Sequence, residues 1–149
     1  MLRSAAGAAV LISEMREQAS KAPSSDSRLG LLLPALAYTA LVFVVGSLPA
    51  AAGPPSVSDK TLHLLAFVPF SPLSERAVRA FRPGLPARLR YFLAFALASG
   101  CGGLLELWQA ALPHRSCDLL DWVADTAGAA LGAALAFALG SARQRHRAP

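Results

Sequence analysis

Long apolar runs, separated by short polar segments, set the pattern of this chain. Segments 29–50 (LGLLLPALAYTALVFVVGSLPA) and 91–112 (YFLAFALASGCGGLLELWQAAL) each reach the roughly 20 mostly apolar residues needed to cross a bilayer. Segment 118–140 also qualifies, although Asp118, Asp121 and Asp125 occupy its first turns. A fourth run, 59–73 (DKTLHLLAFVPFSPL), is shorter and carries Pro69 and Pro72. It reads as a fourth span or as a re-entrant, interfacial helix.

Arginine placement favours the span. Arg76, Arg79, Arg82, Arg88 and Arg90 fall between the second and third runs, and Arg143, Arg145 and Arg147 follow the last. Arg3, Arg16, Lys21 and Arg28 precede the first. With four crossings all of these lie on one side, as the positive-inside rule requires, with both termini cytoplasmic. A re-entrant second run would place basic clusters on both sides. The expected fold is an all-α, integral membrane four-helix bundle over 29–141. A soluble N-terminal tail, 1–28, precedes it and a basic cytoplasmic tail, 142–149, follows.

Composition narrows the class. The 149 residues are 54% hydrophobic and only 15% charged, whereas soluble domains carry about a quarter charged residues. The net charge of +5 is mostly arginine in connecting segments, which points to an anionic membrane surface rather than nucleic acid. The N-terminus superficially resembles a signal peptide, but its apolar core is short and runs directly into Glu14, Arg16 and Glu17. Cys101 and Cys117 form no framework or metal-type spacing and are expected to be free thiols.

The ionisable groups near the span ends carry the candidate chemistry. Four crossings bring the start of the second span (Asp59, Lys60, His63), the end of the third (Glu106, Gln109) and the start of the fourth (Asp118, Asp121, Asp125) to one outer boundary. At about 100° per residue, Asp118, Asp121, Asp125, Gly128 and Gly132 share a helix face, as do Ser99, Gly102, Gly103, Glu106 and Gln109. Small residues below the polar ones permit close helix approach. Packing these two seams together points Glu106 at the acids of the fourth helix, and Glu106 and Asp125 each lie roughly 10 Å inside.

Simpler roles compete at several positions. Asp59 and Asp118 suit helix N-caps. Gln109 could lie in a helix interface, Trp108 and Trp122 read as interfacial anchors, and His114 and His146 as solvated bystanders. Glu106, Asp121, Asp125 and His63 resist such readings, because an ionisable group within a span costs about 2.5–3.5 kcal/mol on insertion scales.

The ordered motifs SDKTLHLLAF and LLELWQAALPHRSCDLLDWVADTAGAALG resemble the VanZ-like family of small bacterial membrane proteins over roughly residues 29–140. The resemblance marks Asp59, Lys60, His63, Glu106, Gln109, Arg115, Asp118, Asp121 and Asp125 as the family's polar positions. It implies a multi-pass plasma-membrane protein of a family associated with teicoplanin resistance. Asp125 departs from the asparagine common there, and Pro69 and Pro72 depart from a regular second helix.

Several functions fit this pattern. The first is an outward-facing site binding, or also modifying, an anionic lipid-linked headgroup such as a cell-wall precursor. Lys60 and Arg115 would be anion donors, Asp59, Gln109, Asp118 and Asp125 further ligand-binding groups, and Glu106, Asp121 and His63 the acid–base candidates. A divalent ion on His63, Glu106, Asp121 and Asp125 is conceivable. Without a tight local ligand motif, no metal and no cofactor is expected. The second is a non-catalytic interaction protein whose polar cluster is a packing latch. Proton or ion transport is a third, opposed by the apolar Ala, Leu, Phe and Gly lining of the cytoplasmic half of the third and fourth spans.

Overall fold

The computed structural model describes residues 25–49 and 57–146, and these residues form five α-helices and no strand. Helix α1 spans Ser25–Gly46, α2 Asp59–Phe67, α3 Phe70–Phe81, α4 Ala87–Gln109 and α5 Leu119–Arg145. Helices α1 and α5 extend into the segments expected as tails. Residues 1–24 of the expected N-terminal tail lie outside the described residues.

Three helices are long and apolar enough to cross a membrane: Arg28–Gly46, Ala87–Gln109 and Leu119–Ala142. Their outward faces carry large apolar side chains such as Leu36, Val44, Phe92, Leu107 and Leu139, all more than half exposed. Water-facing surfaces rarely hold so much contiguous apolar area.

The fourth run differs from the expected 59–73 span. It continues to Phe81 and breaks after Phe67 into α2 and α3. The two prolines explain the break: Pro69 offers no N–H to the Leu65 carbonyl, and Pro72 none to that of Val68. Direction survives the interruption, because Val68 (φ −56°, ψ −49°) and Pro69 (φ −75°, ψ −13°) both keep helical backbone. The continuation escapes a hydropathy reading because α3 is amphipathic. It buries Phe70, Ser71, Ser74, Glu75 and Val78 while exposing Arg76 and Arg79.

The basic groups assigned to a connection are therefore largely helical. Arg76 and Arg79 lie on α3, Arg88 and Arg90 open α4, and only Arg82 remains in the turn. Buried Glu75 accepts from Arg90 Nε at 2.8 Å, while Arg90 Nη1 donates to the Leu85 carbonyl at 2.8 Å, closing the α3–α4 corner.

Helix α2 packs chiefly on α5, α3 on α1 and α4, and α4 on α5. Val42, Phe67, Phe70, Ala98, Leu105 and Ala129 form the shared core. Phe67 stacks on Phe70 with centroids 5.2 Å apart, Tyr38 meets Phe70 edge-on, and the Tyr38 hydroxyl donates to the Ala66 carbonyl at 2.7 Å. The α2–α5 approach is set by glycine: the Leu64 and Val68 carbonyl oxygens lie where Cβ atoms on Gly128 and Gly132 would stand. The C-terminal ends of α1 and α4 and the N-terminal ends of α2 and α5 thereby gather at one end of the molecule.

Candidate functional site

Helix termini build the site at this end. Ser58, not Asp59, caps α2: its Oγ accepts the Thr61 N–H at 3.2 Å. Asp59 instead faces Arg115, with Nη1 3.8 Å from its Oδ2. Asp118 does cap α5, accepting the Leu120 N–H at 2.8 Å. Its own N–H is held by Glu106 Oε2 at 2.8 Å, so the α5 start is tied to α4.

Lys60 bridges two carboxylates of the neighbouring element, 2.8 Å from Asp118 Oδ2 and 2.9 Å from Asp121 Oδ1. Its ammonium holds the Asp118 carboxyl below the usual carboxylate range. One turn deeper, His63 Nδ1 lies 2.9 Å from Asp125 Oδ1, and His63 Nε2 lies 3.9 Å from Asp121 Oδ2. Asp125 is fully buried, and Glu106, Asp121 and His63 nearly so. Glu106 Oε1 and Asp125 Oδ2 are buried without a hydrogen bond from the protein.

Seven of the nine residues singled out in the sequence thus cluster together, Asp59, Lys60, His63, Glu106, Asp118, Asp121 and Asp125, with Arg115 joined to them through Asp59. The α4–α5 seam forms as spacing suggested. Gly102 backs onto Asp125, Gly103 onto the Trp122 ring, and the Ser99 and Thr126 hydroxyls are 2.8 Å apart. Gly128 and Gly132 are the exception, receiving the backbone of α2 rather than α4.

The other two residues turn toward α1. Gln109 Nε2 donates to the Gly46 carbonyl and Arg115 Nε to that of Leu48, both at 2.8 Å. His114, read as solvated, joins them by donating through Nε2 to the Ser47 carbonyl at 2.8 Å. The signal for these roles lies at the C-terminal end of α1, where the carbonyl of Gly46 and those of Ser47 and Leu48 just beyond it need partners from elsewhere. Both indole N–H groups are also engaged, Trp108 with Ser47 Oγ and Trp122 with the Ser99 carbonyl, each at 2.9 Å. Cys101 and Cys117 are free thiols, the second exposed.

A cavity of about 390 Å³ opens beside the network between α1, α2 and α4. Its walls are apolar, including Leu41, Val45, Phe67 and Leu105, and its polar lining is Asp59, His63 and Arg115 with the Tyr38 ring. Of the three acid–base candidates, His63 reaches this cavity, while Glu106 and Asp121 stand behind it. Two trios offer metal-ligand atoms within 4.8 Å of one another: Asp59, His63 and Asp121 nearer the surface, and His63, Glu106 and Asp125 inside. No protein family, curated protein or solved structure matches the chain.

Proposed function

We propose that this is a multi-pass membrane protein whose polar end receives an amphiphile, its anionic headgroup beside Arg115 and His63 and its chain in the apolar cavity. The observation that carries this reading is the cavity itself, an apolar groove whose lining also holds a guanidinium, an imidazole and a carboxylate. Arg115 suits the headgroup because its Nη1 is only loosely paired, 3.8 Å from Asp59, and guanidinium forks match phosphate or carboxylate. The exposed apolar faces of α1, α4 and α5 support embedding in lipid. In this reading α2 and α3 together make the fourth crossing. Arg28, Arg76, Arg79, Arg82, Arg88 and Arg90 then share the cytoplasmic end, and the site faces outward. The VanZ-like motifs suggest a bacterial cell envelope, and the guanidinium and imidazole beside the apolar groove suggest a lipid-linked wall precursor as the ligand.

A packing latch is the second reading, and Lys60 favours it. Its ammonium is already shared between Asp118 and Asp121, so it serves helix assembly. A latch accounts for Lys60 and Gln109 but not for the cavity. Native mass spectrometry from mild detergent separates the two, comparing the parent with Arg115→Gln and with Val45→Trp, which fills the groove. An anionic lipid retained by the parent and lost by both folded variants supports the amphiphile. Identical lipid content in all three supports the latch.

A further inference from the structure

Pairing at the polar end leaves the carboxylates in excess, most deeply at Glu106 and Asp125. Asp59 faces Arg115, and Asp118 and Asp121 share Lys60. Glu106 and Asp125 have only the His63 imidazole between them. Each keeps one carboxylate oxygen, Glu106 Oε1 and Asp125 Oδ2, buried and without any hydrogen bond from the protein. Asp125 is wholly inaccessible and Glu106 is 3% exposed, so bulk water does not neutralise them. A buried carboxylate oxygen left in this way is costly unless a proton or a cation completes it.

The geometry points to a divalent transition-metal ion held by His63, Glu106 and Asp125, an ion whose binding needs no amphiphile although His63 also lines the neighbouring cavity. One ligand atom from each residue lies within 4.8 Å of the other two. Nitrogen and oxygen ligands bind zinc at about 2.0–2.2 Å, placing ligand atoms on one ion roughly 3–3.5 Å apart. Side-chain movements of about 1–2 Å therefore close the trio around an ion. The orphaned oxygens are the additional feature that an ordinary acidic cluster lacks. The donor set selects the class: one imidazole nitrogen with carboxylate oxygens suits Zn²⁺ or Mn²⁺, whereas Ca²⁺ and Mg²⁺ take oxygen alone. Gly102 adds a steric condition, because a Cβ there would stand 2.8 Å from Asp125 Oδ2 and displace the carboxylate.

The test uses the full chain without a histidine tag, stripped with chelator in detergent and equilibrated with Zn²⁺, Mn²⁺, Mg²⁺ or Ca²⁺ alone. Metal content is measured after desalting, alongside the thermal midpoint. The expected result is one equivalent of Zn²⁺ or Mn²⁺ per chain, a raised midpoint, and at least tenfold weaker binding in Asp125→Asn and Glu106→Gln. X-ray absorption on the zinc-loaded parent gives a readout that needs no variant to fold: a shell of nitrogen and oxygen including an imidazole is expected. A metal-free parent whose midpoint no ion moves overturns the site and leaves the oxygens to a shared proton. Retention undiminished in both folded variants, or a sulfur-containing shell, also overturns it.

Discussion

Substitution of Gly128 by alanine tests the central packing claim, because the added methyl meets backbone rather than a movable side chain. The Leu64 carbonyl occupies the space, with its carbonyl carbon 3.0 Å and its Cα 3.2 Å from the new Cβ. No rotamer relieves this overlap, so α2 must move away from α5. Overpacking costs about 1–3 kcal/mol, and a clash with backbone belongs in the upper part of that range, about 2–3 kcal/mol, while the glycine-to-alanine change in a helix returns about 0.8–1 kcal/mol. The expected net loss is about 1–2 kcal/mol. Gly100→Ala is the internal control: it sits exposed on α4 with nothing within 4 Å of its Cβ, and should gain about 0.4–1 kcal/mol. The two alanines should therefore differ by about 2 kcal/mol, roughly thirtyfold in the folded-to-unfolded ratio. Reversible unfolding in mixed detergent micelles, followed by Trp108 and Trp122 fluorescence, reads that difference. Stabilities within about 0.5 kcal/mol of each other would refute the glycine-seated contact between α2 and α5.

The other expectations concern different parts of the molecule. Gly132→Ala should behave like Gly128→Ala, since its Cβ meets the Val68 backbone, and the double variant should lose the Lys60 contacts, seen as weaker protection in cross-linking between α2 and α5. Glu75→Ala leaves part-buried Arg90 with only the Leu85 carbonyl and should cost about 1–3 kcal/mol in the same unfolding assay, with Arg90→Leu in that background restoring part of it. Cys117 should react with a membrane-impermeant thiol reagent on intact spheroplasts while half-buried Cys101 does not; labelling of Cys117 only after lysis would invert the proposed topology. Replacing His114 by alanine releases the Ser47 carbonyl and should lower stability by about 0.5–1.5 kcal/mol, whereas a solvated histidine would give no change.

Sequence periodicity located the α4–α5 seam because both helices obey a fixed angular step, so Ser99, Gly102, Glu106, Asp121 and Asp125 had to share facing stripes. The same periodicity said nothing about which neighbour would fill Gly128 and Gly132, since a gap between small residues accepts any backbone that fits. Pro69 and Pro72 announced an irregular second helix but not its continuation to Phe81. Residues 74–81 look like a solvated loop until Arg90, distant in sequence, neutralises Glu75 and lets that polar face turn inward. The main-chain partners of Gln109, His114 and Arg115 stayed hidden for a related reason. Their partners are main-chain carbonyls, and backbone acceptors leave no residue-type signature.

The broken passage through α2 and α3 also carries a consequence for biogenesis. Neither half is long enough to partition into lipid alone, and α3 brings Glu75, Arg76 and Arg79 with it. What completes them is encoded later: Arg90 on α4 and the glycine face of α5. The ribosome therefore delivers residues 59–81 before the surfaces that pack against them on α4 and α5. In the four-crossing reading, these residues wait at the insertion machinery until the chain is almost complete, and enter as a set with α4 and α5.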